Sequence, residues 1–301
     1  MRPRARRADT LAIVGPGRLG SSLAADLARA GPFSDVVLVG RQERPPNAIA
    51  DLLASAGEAL TYSVQPPEAP ACIVFCVQDD DLVPTAAWWA RTLASRAERE
   101  SSGVALHVSG VHDHTALCDL AGLGWSTGSW HPLMALARAG QGQLSGVTFG
   151  IEGDPAAVEV AAELTQRVGG EVLHILPGRK ASYHAAAVFA SNYLVACLHA
   201  AQQELAAASD GAEFGALLSL ARSAIDRVER HGLEGGATGP LTRGDTGTIR
   251  AHIAALDPAR GRLYRALGIE LLAAIDDRLE PDKVLELRML LDELPPSEQA
   301  H

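Results

Sequence analysis

The sequence predicts an α/β, Rossmann-type, doubly wound parallel sheet followed by an all-α C-terminal domain. Three observations predict it. Residues 11–14 form an apolar run that leads into Gly15-Pro16-Gly17-Arg18-Leu19-Gly20 and then a helical pattern carried by Leu19, Leu23, Ala24 and Leu27. Short β-branched runs then alternate with helical segments as far as Leu176, the pattern of parallel strands joined by crossover helices. Beyond Pro177-Gly178 no strand-like run follows, and the apolar spacing is helical throughout.

In the first strand and turn, each glycine of Gly-x-Gly-x-x-Gly has its own task. One allows a tight turn, the next a close backbone approach to a pyrophosphate, and the third close helix-to-strand packing. The phosphates then meet unpaired N–H groups at a helix N-terminus. Gly15, Gly17, Arg18, Leu19 and Gly20 are therefore candidate cofactor-binding residues. A second strand at residues 36–39 ends in Gly40-Arg41, and a helix follows at 47–56. Residues 71–77 read as a buried strand, residues 84–97 as a helix, and residues 104–110 as the next strand. Asp79, Asp80 and Asp81 are placed as caps of a helix beginning near Leu82, where acids favour the dipole. Strands at 146–153 and 171–176 flank a helix at 155–168. An alanine-rich helix at 179–208, on the order of 45 Å long at 1.5 Å per residue, opens the helical part. Further helices are expected at 214–231, 246–256, 259–275 and 281–294, with a glycine-rich stretch at 232–247. The expected organisation is a disordered extension at 1–8, a dinucleotide-binding domain at 9–176, and a helical substrate and dimerisation domain at 177–295.

Composition narrows the function. The chain has 301 residues, 47% hydrophobic and 21% charged, with net charge −10. No dense basic block exists beyond the first seven residues, so a nucleic-acid partner is not expected, because neutralising phosphates needs clustered Lys and Arg. The apolar stretch after the basic N-terminus is too short for a signal-peptide core. Cys72, Cys76, Cys118 and Cys197 show no Cys-x-x-Cys spacing, and Cys72 and Cys76 read as small buried hydrophobes in a strand. A cytoplasmic location fits. The apolar run 185–198 is shorter than the roughly 20 residues of a membrane span and contains Ser191 and Asn192. It reads as a helix buried inside protein, with no membrane partner.

In this fold an acid at the end of the second strand selects NAD, and an arginine there accommodates the 2′-phosphate of NADP. Arg41 holds that position, with Asp35 at the strand's other end and Glu43 beyond it in the loop. A guanidinium pairs bidentately with a phosphate that a carboxylate would repel. NADP is expected rather than NAD. Val77, Gln78 and Ser109, at C-terminal strand ends, are expected beneath the nicotinamide half.

Three polar groupings interrupt this apolar chain: Ser129-Trp130-His131-Pro132-Leu133, then Lys180 to His184 with Ser191-Asn192, and Gly239 to Asp245 around Arg243. At about 100° per residue, Lys180, His184 and Ser191 share an arc, with Asn192 at its edge. Hydride reduction of a carbonyl needs a proton donor at the developing alkoxide, a role for His or Lys. Lys180, His184 and Asn192 are the catalytic candidates; His131, Ser191 and Arg243 are the substrate-binding candidates. His112, Asp113 and His114 read as a solvated polar turn rather than a metal site, since no third ligand is evident.

The strings HVSG at 107–110, SWHPLM at 129–134, YHAAAVFASNYL at 183–194 and GPLTRGD at 239–245 resemble, in order, a bacterial family of Rossmann-like oxidoreductases. That family carries a C-terminal helical domain of uncharacterised function. It belongs to a wider group similar to pyrroline carboxylate reductases, ketopantoate reductases and hydroxyacid dehydrogenases. The resemblance implies cofactor binding between the domains and a homodimer through the helical domain. Lys180 and Asn192 are placed like the catalytic Lys and Asn of hydroxyacid dehydrogenases, at a wider spacing. SWHPL also resembles the His-Pro segment of prephenate dehydrogenases. The reading that follows is an NADP-dependent oxidoreductase acting on a small, carboxylated carbonyl or imine substrate. A non-catalytic NADP-binding regulator and a deazaflavin-linked NADP oxidoreductase are the alternatives.

Overall fold

The computed structural model describes residues 10–30, 33–56, 59–96, 102–134, 144–211 and 214–292. The expected extension at 1–8 and the expected helix ends at 97 and 293–294 lie outside the described residues. The chain divides into two compact units, Met1–Ser191 and Asn192–His301.

The first unit alternates strands and helices: β1 (Thr10–Val14), α1 (Arg18–Ala30), β2 (Asp35–Val39), α2 (Asn47–Ala56), β3 (Leu60–Ser63), β4 (Pro70–Phe75), α3 (Asp79–Ser95) and β5 (Val104–His107). A 3₁₀ turn at His114–Leu117 and the short α4 (Cys118–Ala121) lead to β6 (Ser126–Pro132), β7 (Thr148–Gly153), α5 (Pro155–Arg167) and β8 (Glu171–His174). The sheet order is β3-β2-β1-β4-β5-β6-β7-β8. The chain winds outward from β1 and then returns to its other side at β4, so the switch point, where such sheets bind ligands, falls between those two strands.

Both faces of the sheet are covered, so β1 is apolar at successive positions rather than alternating. Leu11 and Ile13 join Leu23, Leu27, Val74 and Leu106 on one face. Ala12 and Val14 join Ile73, Phe75, Leu82 and Trp89 on the other. Truncating one of these large side chains to Ala removes roughly 2–5 kcal/mol.

Two strands differ from the sequence-based expectation. β3 and β6 were not foreseen, because neither carries an apolar run. β6 is Ser-Thr-Gly-Ser-Trp-His-Pro, and Thr127, Ser129 and Trp130 are buried nonetheless. Its one large side chain anchors it: Trp130 stacks on Phe149 at 4.9 Å, and its Nε1 donates to Thr165 Oγ1 at 2.8 Å. β6 pairs with β7 antiparallel, the one departure from parallel order among the described strands. α3 starts at Asp79 rather than near Leu82, so the three aspartates lie in its first turn and Gln78 is the N-cap.

After β8 comes α6 (Lys180–Val188), then a π-helical turn at Phe189–Tyr193 and α7 (Leu194–Ala208). The expected burial of residues 185–198 is not observed, and no residue of that run is buried. Phe189 is 66% exposed and Val195 65%. Alanines keep the run's hydropathy high without requiring a dry environment. By length and composition alone, Lys180–Ala208 could also cross a membrane. Its first turn, however, is bonded into the sheet, as described below.

The second unit continues with α8 (Phe214–Gly236, kinked at Gly232), α9 (Thr246–Ala255), α10 (Pro258–Ala273) and α11 (Pro281–Asp292). Leu241, Ile249, Leu272, Leu287 and Leu291 form its core. Asp245 accepts from Thr248 N and Asp257 from Ala259 N, capping α9 and α10.

Candidate active site

The loop between β1 and α1 opens onto a cleft of about 690 Å³. Gly15 has φ +105°, and a Cβ there would lie 2.5 Å from the Cys76 carbonyl oxygen. A Cβ at Gly20 would collide with the Gly15 carbonyl. The protein's own packing therefore requires these two glycines. Gly17 differs, since nothing among the described residues comes within 4 Å of its Cβ position. That open space beside backbone at a helix N-terminus fits a pyrophosphate.

Val77 and Gln78 line the cleft from the end of β4, and Arg41 and Asp81 line it as well. A Cβ on Gly40 would strike the Tyr62 hydroxyl, which donates to Gln42 O at 2.8 Å and so fixes the turn that presents Arg41. Arg41 Nη2 pairs with Asp81 Oδ2 at 3.0 Å. Arg18 is the exposed first residue of α1, while Leu19 packs on the core.

A second cluster is built on β5, β6 and β7. In register, His107 faces Phe75 and Ser129, while Ser129 faces Glu152 and His131 faces Gly150. Period two puts Ser129 and His131 on one face, with Glu152 and Gly150 directly across. α6 lies along this face. One helical turn rises about 5.4 Å and two strand residues about 6.7 Å, so successive turns meet successive strand positions. Lys180 Nζ donates to Ser129 Oγ at 2.5 Å. The Tyr183 hydroxyl lies 2.9 Å from His131 Nδ1 and donates to the His131 carbonyl at 3.3 Å. Both contacts are satisfied together when Nδ1 carries the proton, which leaves Nε2 as an acceptor. A side chain at Gly150 would overlap the Tyr183 ring. Likewise, one at Gly110 would overlap His184, whose ring is 5.7 Å from that of His131. His184 Nδ1 is buried and has no hydrogen-bond partner among the described residues.

Burial sets the electrostatics. It lowers Lys180 to about 8, against the attraction of Glu152, Asp79 and Asp113. Burial, assisted by Lys180 and His184, lowers His131 to about 4, and burial raises Tyr183 to about 12. His107, lowered to about 3 by burial, is a satisfied core histidine. Its Nδ1 accepts from Ser109 N at 3.2 Å, so Nε2–H donates to Asp113 O at 3.0 Å. A smaller cavity of about 190 Å³ lies beside Lys180, bounded by Asp113, His114, Glu152 and His174. The turn at 112–114, expected to be solvated, is instead tied down. His114 gives its backbone N–H and ring Nδ1 to Glu152, at 2.9 and 2.8 Å, and Asp113 caps the 3₁₀ turn through Thr115 N.

The first unit thus brings together Lys180, His184 and His131, with Ser109 close in sequence to Gly110. Ser109 Oγ accepts from Val111 N and His112 N and shapes the turn. Ser191 lies in the π-helical turn, bonded to Ala187 O at 2.6 Å. Asn192 and Arg243 belong to the second unit. The sequence reading placed Ser129 and Tyr183 inside polar groupings and Gly110 beside Ser109 at a strand end without the contacts seen here, and it gave Glu152 no part. Only the strand register shows their roles.

Residues 147–271 match the family described as Domain of unknown function (DUF2520). No curated protein matches the chain. Among solved structures, the chain is similar to protein TM1727 from Thermotoga maritima, with TM-score 0.66, 21% identity, and coverage of 89% of this chain and 98% of that one. It is similar to a Bacteroides fragilis protein described as a candidate NADP oxidoreductase, with TM-score 0.62, 20% identity, and coverage of 87% and 97%. It also resembles Synechocystis arogenate dehydrogenase, with TM-score 0.50, 17% identity, and coverage of 94% and 89%. At these identities the likeness is one of fold.

Proposed function

We propose that this chain is an NADP-dependent oxidoreductase that transfers a hydride to or from a small, carboxylated carbonyl or imine compound. One observation carries the reading: an open glycine loop at β1 and a partly buried His-Lys-Tyr cluster packed on β6 share one sheet, with β4 and β5 between them. Adjacent strands lie about 4.8 Å apart. Asp79, next to the cleft-lining Gln78, acts electrostatically on both His131 and Lys180, which links cleft and cluster.

NADP, when bound, supplies or accepts the hydride. The Gly17 backbone and the start of α1 hold its pyrophosphate, and Arg41 takes the 2′-phosphate. The His184 ring, whose Nδ1 is buried against Gly110 without a hydrogen-bond partner among the described residues, exchanges a proton with the substrate oxygen or nitrogen through its other nitrogen. His131 is kept uncharged beside it, and its Nδ1–H bond to Tyr183 fixes the ring. Lys180 beneath them supplies positive charge that favours an anion at this edge. The same reading makes the protein a cytoplasmic homodimer through its helical unit, where Tyr193, Val195, Leu220, Ile225 and Leu233 present exposed apolar surface.

Titration with NADPH and NADH, followed by a screen of 2-oxo acids and cyclic imines, tests the proposal. NADPH binding and turnover are expected, with at least a hundredfold loss of kcat in His184→Ala and unchanged NADPH affinity. Tight NADPH binding with no turnover across the screen would favour a binding-only protein.

A further inference from the structure

Arg41, the residue read as the 2′-phosphate partner, already has a counter-ion. Its guanidinium spans from the end of β2 to Asp81 in the first turn of α3, at 3.0 Å. Both residues line the same cleft. Asp81 thus lies within reach of whatever Arg41 binds. We infer that Asp81 is a specificity-determining residue that restrains the protein's preference for NADP over NAD, an inference that rests on the NADP reading above.

A phosphate arriving at Arg41 must displace Asp81 or share the guanidinium with it. In either case a carboxylate remains close to a group carrying about −1.5 to −2 charge. An unphosphorylated ribose brings no such charge, so the carboxylate does not repel it. The penalty falls on one cofactor and not the other, which is discrimination through a repulsive element. Because the pair is exposed, with side chains 77% and 47% accessible, its effect is limited to that of a surface ion pair. That corresponds to at most about fivefold in affinity.

The experiment uses the intact chain and reads the intrinsic fluorescence of Trp88 and Trp89, both of which line the cleft. NADPH, NADH and 2′,5′-ADP are titrated against wild type, Asp81→Asn, Arg41→Ala, the double variant, and Asp80→Asn as a charge control in the same helical turn. Asp81→Asn is expected to tighten NADPH and 2′,5′-ADP about two- to fivefold and to leave NADH unaltered. In the Arg41→Ala background the same change is expected to gain much less, because the ion pair is already gone. An unchanged NADPH/NADH ratio in Asp81→Asn overturns the inference. So does an equal gain from Asp80→Asn, which would indicate general charge rather than this pair. If Arg41→Ala itself leaves NADPH affinity unaltered, the NADP reading fails first and takes the inference with it. If Arg41→Ala weakens NADPH and Asp81→Asn does nothing, only the inference fails.

Discussion

The glycines of the β1–α1 loop look alike in the sequence and separate in the structure by what surrounds them. Gly15 needs its positive φ and close contact with Cys76, whereas Gly17 faces open space. Gly15→Ala is therefore expected to lower Tm by several degrees, because the left-handed region alone costs about 1–2 kcal/mol. Gly17→Ala is expected to keep Tm and lose NADPH affinity at least tenfold. Thermal melts beside binding titrations check both. The glycine loop was legible in the sequence because its signal is contiguous. Ser129 and Tyr183 were not, although both stood inside noticed groupings. Ser129 acquires its partner Lys180 across 51 positions and Tyr183 meets His131 across 52. No local spacing encodes that pairing.

Among the elements, α6 is the decisive one. It lies on β6 and β7 because glycines at 110 and 150 leave room for His184 and Tyr183. Gly110→Ala is expected to displace His184 and cut kcat at least tenfold while NADPH affinity stays within about twofold. Parallel kinetic and binding measurements on this variant read the split directly. β1, β2, β4 and β5 could be read from their apolar runs, since strands covered on both faces have little room for polar residues. β6 escaped because its polar side chains are satisfied by bonds such as Lys180 Nζ to Ser129 Oγ and Thr127 Oγ1 to Asp154 Oδ2. The 185–198 segment misled in the opposite direction, since a hydropathic run shows what a helix tolerates and not what covers it.

The whole molecule carries a pH dependence set by its buried histidines. His131 and His107 are lowered from 6.5 to about 4 and about 3. Between about 4 and 6.5 the unfolded chain binds more protons at these sites than the folded one does, so stability rises with pH across that window. It is complete above 6.5 and is lost as pH falls through the folded values. Urea midpoints are expected to fall from pH 7 to pH 5, and less steeply in His131→Gln. Lys180 adds a rise at the alkaline end, between about 8 and its usual 10.5. The proposed homodimer makes a separate forecast. Light scattering is expected to give twice the chain mass, and Val195→Asp with Leu220→Asp to give the monomer with its NADPH binding intact.

The seat that Gly150 leaves for Tyr183 also bears on the order of folding. The seat is complete only when β6 and β7 are in their antiparallel register, so α6 is expected to dock after they pair. The cluster around Lys180, Tyr183 and His184 is therefore expected to assemble last, from a helix closing on a finished sheet. Amide exchange in α6 should consequently be faster than in β1, β4 and β5, and the appearance of NADPH turnover during refolding should lag the formation of the sheet.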